Sequence, residues 1–120
     1  MIHPLRQDTQ RIRSQARAVH ELASTSLNVA ERFDLQLKLG NPSSYLILIL
    51  PFAGVVVRFS NHPHPGGRCA TDSLRRQMPV EFLDLYEHPA DSPETILQAI
   101  RVAMIRLGAS PVRSSLSTPD

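Results

Sequence analysis

The chain has 120 residues and a mass of 13.4 kDa; 42% of its residues are hydrophobic, and its formal net charge is +2. This length accommodates one domain with its own core and excludes a second enzyme-sized unit. Its apolar runs are far shorter than the roughly 18 residues of a transmembrane helix, and the N-terminus lacks an apolar signal segment, so we expect a cytoplasmic protein.

The first predicted element is an amphipathic helix over residues 5–27. Its apolar residues recur at helical spacing and share one stripe: Leu5, Ile12, Ala16, Val19, Ala23 and Leu27. Arg6, Arg13 and Arg17 lie about 100° around the helix from that stripe, and we call them the arginine stripe. Such a stripe suits phosphate contacts, but it is equally typical of a solvated helix face.

Arginine is enriched throughout the chain. Of the 13 basic residues, Lys38 is the only lysine. The planar guanidinium group is suited to binding carboxylates and phosphates, which favours an interaction surface. A GC-rich genome is the alternative explanation, because its codons raise arginine, alanine and proline together, and the chain has 10 prolines.

The central sequence predicts a small sheet. Apolar and polar residues alternate over 32–39, an apolar run follows at 45–50, and a third strand over 55–60 begins with three valines; short turns rich in proline and glycine separate them. Short turns favour antiparallel neighbours. A fourth strand is predicted over 79–87, followed by a helix with Ser92 or Asp91 as its cap, Pro93 in its first turn and Gly108 at its end.

These elements predict an α+β fold of order α-β-β-β-(β)-α. An antiparallel sheet of three to four strands is flanked by an N-terminal and a C-terminal helix, in a single domain over residues 1–108. Residues 109–120 are predicted to be a disordered tail. The second and third strands are apolar on both faces, so we expect the face without helices to be covered internally, by a second copy in a homodimer, or by another protein.

The end of the third strand has the most unusual sequence in the chain, because polar residues and prolines follow its three valines there. Because strand residues alternate between faces, Arg58, Ser60 and His62 share one side, and the prolines around His64 stiffen the chain that follows. We predict that Arg58, Ser60, Asn61, His62 and His64 form a partner-binding surface.

This region resembles small proteins of phages and other mobile elements. The resemblance is carried by SSYLILIL and VVVRFSNHPHP, between Ser43 and Pro65, and matches a Ser-x-Tyr strand followed by a strand ending in Val-Arg-x-Ser-Asp-His. Asn61 stands where that pattern has Asp, which removes a carboxylate that could pair with Arg58 or orient His62. The resemblance implies helices flanking a small antiparallel sheet and, by class-level analogy with anti-CRISPR proteins, action by binding a host complex.

Catalytic and metal sites have weaker support in the sequence. His62, His64, Cys69 and His88 are candidate zinc ligands, but they lack the paired spacing of structural zinc sites. The sequence indicates no base or oxyanion site for Cys69 as a nucleophile. Asp84, Glu87 and Asp91 form an acidic edge before the last helix, which could hold a divalent ion but is more typical of solvated carboxylates at a strand end. We therefore expect no enzymatic activity, metal or cofactor.

The sequence thus predicts a non-enzymatic protein that binds another protein and inhibits a host defence nucleoprotein complex. The alternative is a small accessory protein that binds nucleic acid through the arginine stripe. A metal-dependent or cysteine-dependent enzyme is the third and most distant hypothesis.

Overall fold

The described part of the chain contains two long helices, one short helix and four strands. A computed structural model describes residues 4–27, 34–40, 43–62, 71–86 and 91–108, with the side chains of the first helix described from Gln10 onward. The elements in chain order are α1 (Pro4–Ser26), β1 (Asp34–Lys38), β2 (Ser44–Ile49), β3 (Gly54–Ser60), α2 (Asp72–Arg75), β4 (Val80–Tyr86) and α3 (Pro93–Arg106). The predicted α+β class is confirmed. The predicted disorder of residues 109–120 falls outside the described residues.

The sheet is mixed rather than purely antiparallel. Its strand order is β1-β2-β3-β4; β1 and β3 both run antiparallel to β2, whereas β4 runs parallel to β3. The prediction of an antiparallel sheet is therefore wrong for the last pair. Parallel neighbours require a crossover of about a dozen residues or more, and the chain between Ser60 and Val80, which includes α2, has the necessary length.

Both long helices cover the same face of the sheet. The helix α1 contacts β1, β2 and β3, α3 contacts β3 and β4, and the two helices also contact each other. They run in the same direction: Gln15 Nε2 donates to the backbone oxygen of Asp91 (2.8 Å), just before α3, and Arg101 Nη2 donates to that of Ser26 (3.4 Å), at the end of α1.

The predicted helix stripes form the core with the inward face of the sheet. From the helices, the buried residues are Ile12, Ala16, Val19, Ala23, Leu27, Ile96, Leu97, Ile100, Ala103 and Met104, and from the sheet Leu46, Leu48, Val55, Val57 and Phe59. At about 1.5–3 kcal/mol for each large apolar side chain, this burial is the main stabilising contribution to the fold.

The opposite face of the sheet is covered at its centre within a single chain. Val56 is 0% exposed and Ile47 is 7% exposed, although their strand neighbours face the helices. Tyr45, Ile49 and Phe82, on the same face, remain half-buried. Burying the centre of this face therefore requires no second copy, and homodimerisation through it stays a prediction.

The boundaries of α3 follow from its terminal residues. Ser92 Oγ accepts a hydrogen bond from the backbone nitrogen of Thr95 (3.1 Å), and Pro93 occupies the first turn. Gly108, which has a φ of 86°, follows the last turn, where a left-handed residue favours glycine. None of the helices within the described ranges is both long and apolar enough to cross a membrane.

Candidate functional site

Polar side chains gather at the end of the sheet where β3 and β4 finish and β2 begins. We call Ser43, Arg58, Ser60, His62 and Asp84 the Arg58 cluster. The side chain of Arg58 lies on the face opposite the helices, because Val57 and Phe59 on either side of it point into the core. The register of β3 and β4 places Asp84 directly beside Arg58.

The guanidinium of Arg58 holds three separate segments together. Its Nη1 forms an ion pair with Asp84 Oδ1 (2.8 Å), its Nε donates to Ser43 Oγ (3.2 Å), and its Nη2 donates to the backbone oxygen of His62 (2.5 Å). The side chain of Arg58 is 0% exposed. A buried charge is tolerated only when it is paired and hydrogen-bonded, so these partners are a condition of its burial.

The chain leaving β3 is fixed at both backbone groups of His62. The nitrogen of His62 donates to Ser60 Oγ (3.0 Å), while its oxygen accepts from Arg58. Ser60 is buried, whereas Asn61 and His62 are half-buried. The Nδ1 atom of His62 is buried without a hydrogen-bond partner within the described part of the chain. The cluster thus sets the conformation of the residues at which the chain leaves the sheet.

Four of the five predicted partner-binding residues are brought together here: Arg58, Ser60, Asn61 and His62. The fifth, His64, lies outside the described residues. Because Arg58 and Ser60 are buried, their side chains act inside the protein, whereas Asn61 and His62 are partly accessible. Their binding of a partner stays a prediction.

Sequence reasoning missed Asp84 and Ser43 as members of the cluster. The substitution of Asn61 for the Asp of the resembling pattern suggested that Arg58 lacks an acidic partner, yet Asp84 supplies one from β4. The available signal was Asp84, a carboxylate flanked by leucines within the strand VEFLDLY. Ser43 gave no comparable signal, since serine is ordinary in a turn.

The arginine stripe is divided by the structure. Arg13 is half-buried, and its Nε donates to the backbone oxygen of Gly40 (3.1 Å). The nitrogen of Gly40 in turn donates to Ser44 Oγ (3.2 Å), so Arg13 contacts the turn between β1 and β2. Arg17 is exposed, and the side chain of Arg6 lies outside the described part of α1.

Of the four candidate zinc ligands, the structure describes His62 alone. Across the described ranges, no group of three or more His, Cys, Asp or Glu residues is placed to hold a metal ion. His64, Cys69, Glu87 and His88 fall outside those ranges. Of the predicted acidic edge, Asp84 is engaged by Arg58.

Comparisons with protein-family models, with curated proteins and with solved structures found no match to this chain.

Proposed function

We propose that this chain is a small, non-enzymatic binding protein that acts by contacting another protein through the end of β3. The observation that carries the proposal is the buried guanidinium of Arg58, which fixes the backbone at His62 from inside the fold. Asn61 and His62 are partly accessible and follow β3 directly, so we assign contact with the partner to them. Arg58 and Ser60 are positioning residues.

The energetics of the Arg58 cluster support this assignment. A buried ion pair contributes little net stability compared with apolar residues of the same volume, so stability is a weak reason to retain one. What the cluster does provide is a single conformation for the chain leaving β3. A preorganised segment loses less conformational entropy on binding, and affinity rises accordingly.

At a finer level, we propose that the partner is a host defence nucleoprotein complex and that the protein inhibits it, as anti-CRISPR proteins do. The support is the resemblance of the segment from Ser43 to Pro65 to small phage and mobile-element proteins. This resemblance predicts that the contact surface centres on the end of β3.

Partner capture with matched variants tests the assigned surface. We expect the wild-type protein and Gln98→Ala, a change at an exposed position on α3, to retain the same partner from a host lysate. Asn61→Ala and His62→Ala are expected to lose it while keeping the wild-type circular dichroism spectrum. Equal retention by all four folded proteins would contradict a contact surface at Asn61 and His62.

Activity measurements test the finer proposal. In a host with an active CRISPR system, we expect expression of the protein to restore plaque formation by a targeted phage, and expression of His62→Ala to leave the phage restricted. Unchanged restriction under wild-type expression would contradict inhibition of that complex. Protein binding itself would still be decided by the capture experiment.

A further inference from the structure

The strand β1 lies at one edge of the sheet and has an outer side suited to pairing. Within the described ranges it pairs with β2 alone. The outer backbone groups of an edge strand are a template for another strand, unless charges, prolines or bulges oppose the approach. In β1, the charged residues at the two ends have opposite signs, so a second copy of β1 would meet complementary charges.

The sequence of β1 is complementary to itself when two copies run antiparallel. It reads DLQLK, and pairing about a twofold axis through Gln36 places Asp34 of each copy opposite Lys38 of the other. Leu35 then lies opposite Leu37 on the helix-covered face, and Gln36 lies opposite its own counterpart. A parallel arrangement in register would instead place like charges side by side, which is destabilising.

We propose that two copies of this chain associate through β1 in this register, joining their sheets into one continuous sheet. The exposure of the side chains agrees with the proposal. Asp34 and Lys38 are exposed, and Gln36 Nε2 donates to Asp34 Oδ2 (2.8 Å), so the polar row is already ordered in the single chain. Leu39, immediately after β1, is 38% exposed and would lie at the rim of the contact.

The helices leave room for this association. Because α1 contacts β1, β2 and β3, its axis lies over β2, the middle strand of the three. At a strand spacing of about 4.8 Å, the two α1 axes would be roughly 14 Å apart across the twofold axis. A helix with its side chains is about 10–12 Å in diameter, so the two copies of α1 pass without overlap. This inference is independent of the function proposed for the end of β3.

Charge reversal tests the register directly. Asp34→Lys and Lys38→Asp each replace both intermolecular ion pairs by like-charge pairs, and we expect each to raise the dimer dissociation constant roughly tenfold or more. The double variant with both changes restores opposite charges, and its dissociation constant is expected to return to near the wild-type value. Sedimentation equilibrium over a concentration series measures the dimer dissociation constants of the wild-type protein and the three variants.

A mixture of the two single variants gives the most direct test of the proposed register. One variant then carries lysine at both positions and the other carries aspartate at both, so the heterodimer has only opposite charges and is expected to bind more tightly than either variant alone. Both positions are exposed, and unchanged circular dichroism spectra would verify folding. A wild-type protein that stays monomeric at the highest concentration overturns the proposal. A dimer insensitive to the single changes also overturns it.

Discussion

Arg58 and Asp84 lie side by side on the parallel strands β3 and β4, with 2.8 Å between Nη1 and Oδ1. Their environments differ: the side chain of Arg58 is 0% exposed, whereas that of Asp84 is 37% exposed. If the pair is broken, water reaches the carboxylate but not the guanidinium. Removing the charge of Asp84 is therefore more costly than the usual loss of a surface ion pair, because it leaves a buried cation without its counter-ion.

Asp84→Asn is expected to lower the free energy of unfolding by about 2 kcal/mol. This is the usual contribution of a hydrogen bond to a charged group, and here the buried guanidinium of Arg58 loses its carboxylate partner. Glu81→Gln is the matched control, since Glu81 is also on β4 and pairs with Arg106 (3.2 Å), whose side chain is 56% exposed. We expect a loss below about 0.5 kcal/mol for the control. Urea unfolding measures both variants, and equal losses would contradict the asymmetry.

Arg58→Lys tests whether the three-way geometry of the guanidinium matters or only its charge. A compact ammonium group cannot reproduce the fork that reaches Ser43, Asp84 and His62, so we expect a loss of about 1–2 kcal/mol and faster hydrogen exchange at the His62 amide. Arg101→Lys is the control, with one bond to Ser26 at 3.4 Å. A fully stable Arg58→Lys protein with unchanged exchange would argue against positioning by Arg58.

Alanine substitutions at Gly40 and Gly54 should have different effects on stability. A Cβ on Gly40 would lie 2.5 Å from the backbone oxygen of Ser43, so Gly40→Ala forces the turn between β1 and β2 to shift. We expect it to cost about 2 kcal/mol. A Cβ on Gly54 would meet its nearest atom, the backbone oxygen of Leu48, at an ordinary 3.5 Å. Gly54→Ala should therefore be neutral or stabilising by up to about 1 kcal/mol in thermal unfolding.

The arginine stripe yields a separate prediction. Arg13→Ala is expected to lower the free energy of unfolding by about 1 kcal/mol, because the oxygen of Gly40 loses its donor. Arg17→Ala, at an exposed position, should change it by less than about 0.5 kcal/mol.

The same Arg17 variant tests the nucleic-acid hypothesis. Binding of random duplex DNA across a salt series would lose about one unit of slope if Arg17 contacts a phosphate, and an unchanged slope would contradict that hypothesis.

Much of the fold follows from short-range patterns in the sequence. The helical spacing of Ile12, Ala16 and Val19 predicts the buried face of α1, and Ser92 with Pro93 predicts the start of α3. The three strands β1 to β3 follow from alternation and short turns. These features depend on neighbouring residues, so they can be recognised without knowledge of tertiary contacts.

The direction of β4 could not be predicted in the same way. The residues of a strand such as VEFLDLY do not indicate whether it runs parallel or antiparallel to its neighbour, and only the path of the chain between Ser60 and Val80 decides its direction. The crossover contains a helix of four residues, Asp72–Arg75, too short to give a periodic signal. The pairing of Arg58 with Asp84 depends on the parallel register, so the sequence does not predict it either.

The parallel pairing of β3 with β4 also has a consequence for the order of folding. The strands β1, β2 and β3 are joined by short turns, whereas β4 can join them only after a longer loop closes, which has a larger entropic cost. Arg58 can therefore be buried only once that loop has closed, and we expect its ion pair with Asp84 to form after the rate-limiting step of folding. Asp84→Asn should then accelerate unfolding and leave the folding rate nearly unchanged, so the pair acts as a latch on a sheet that has already assembled.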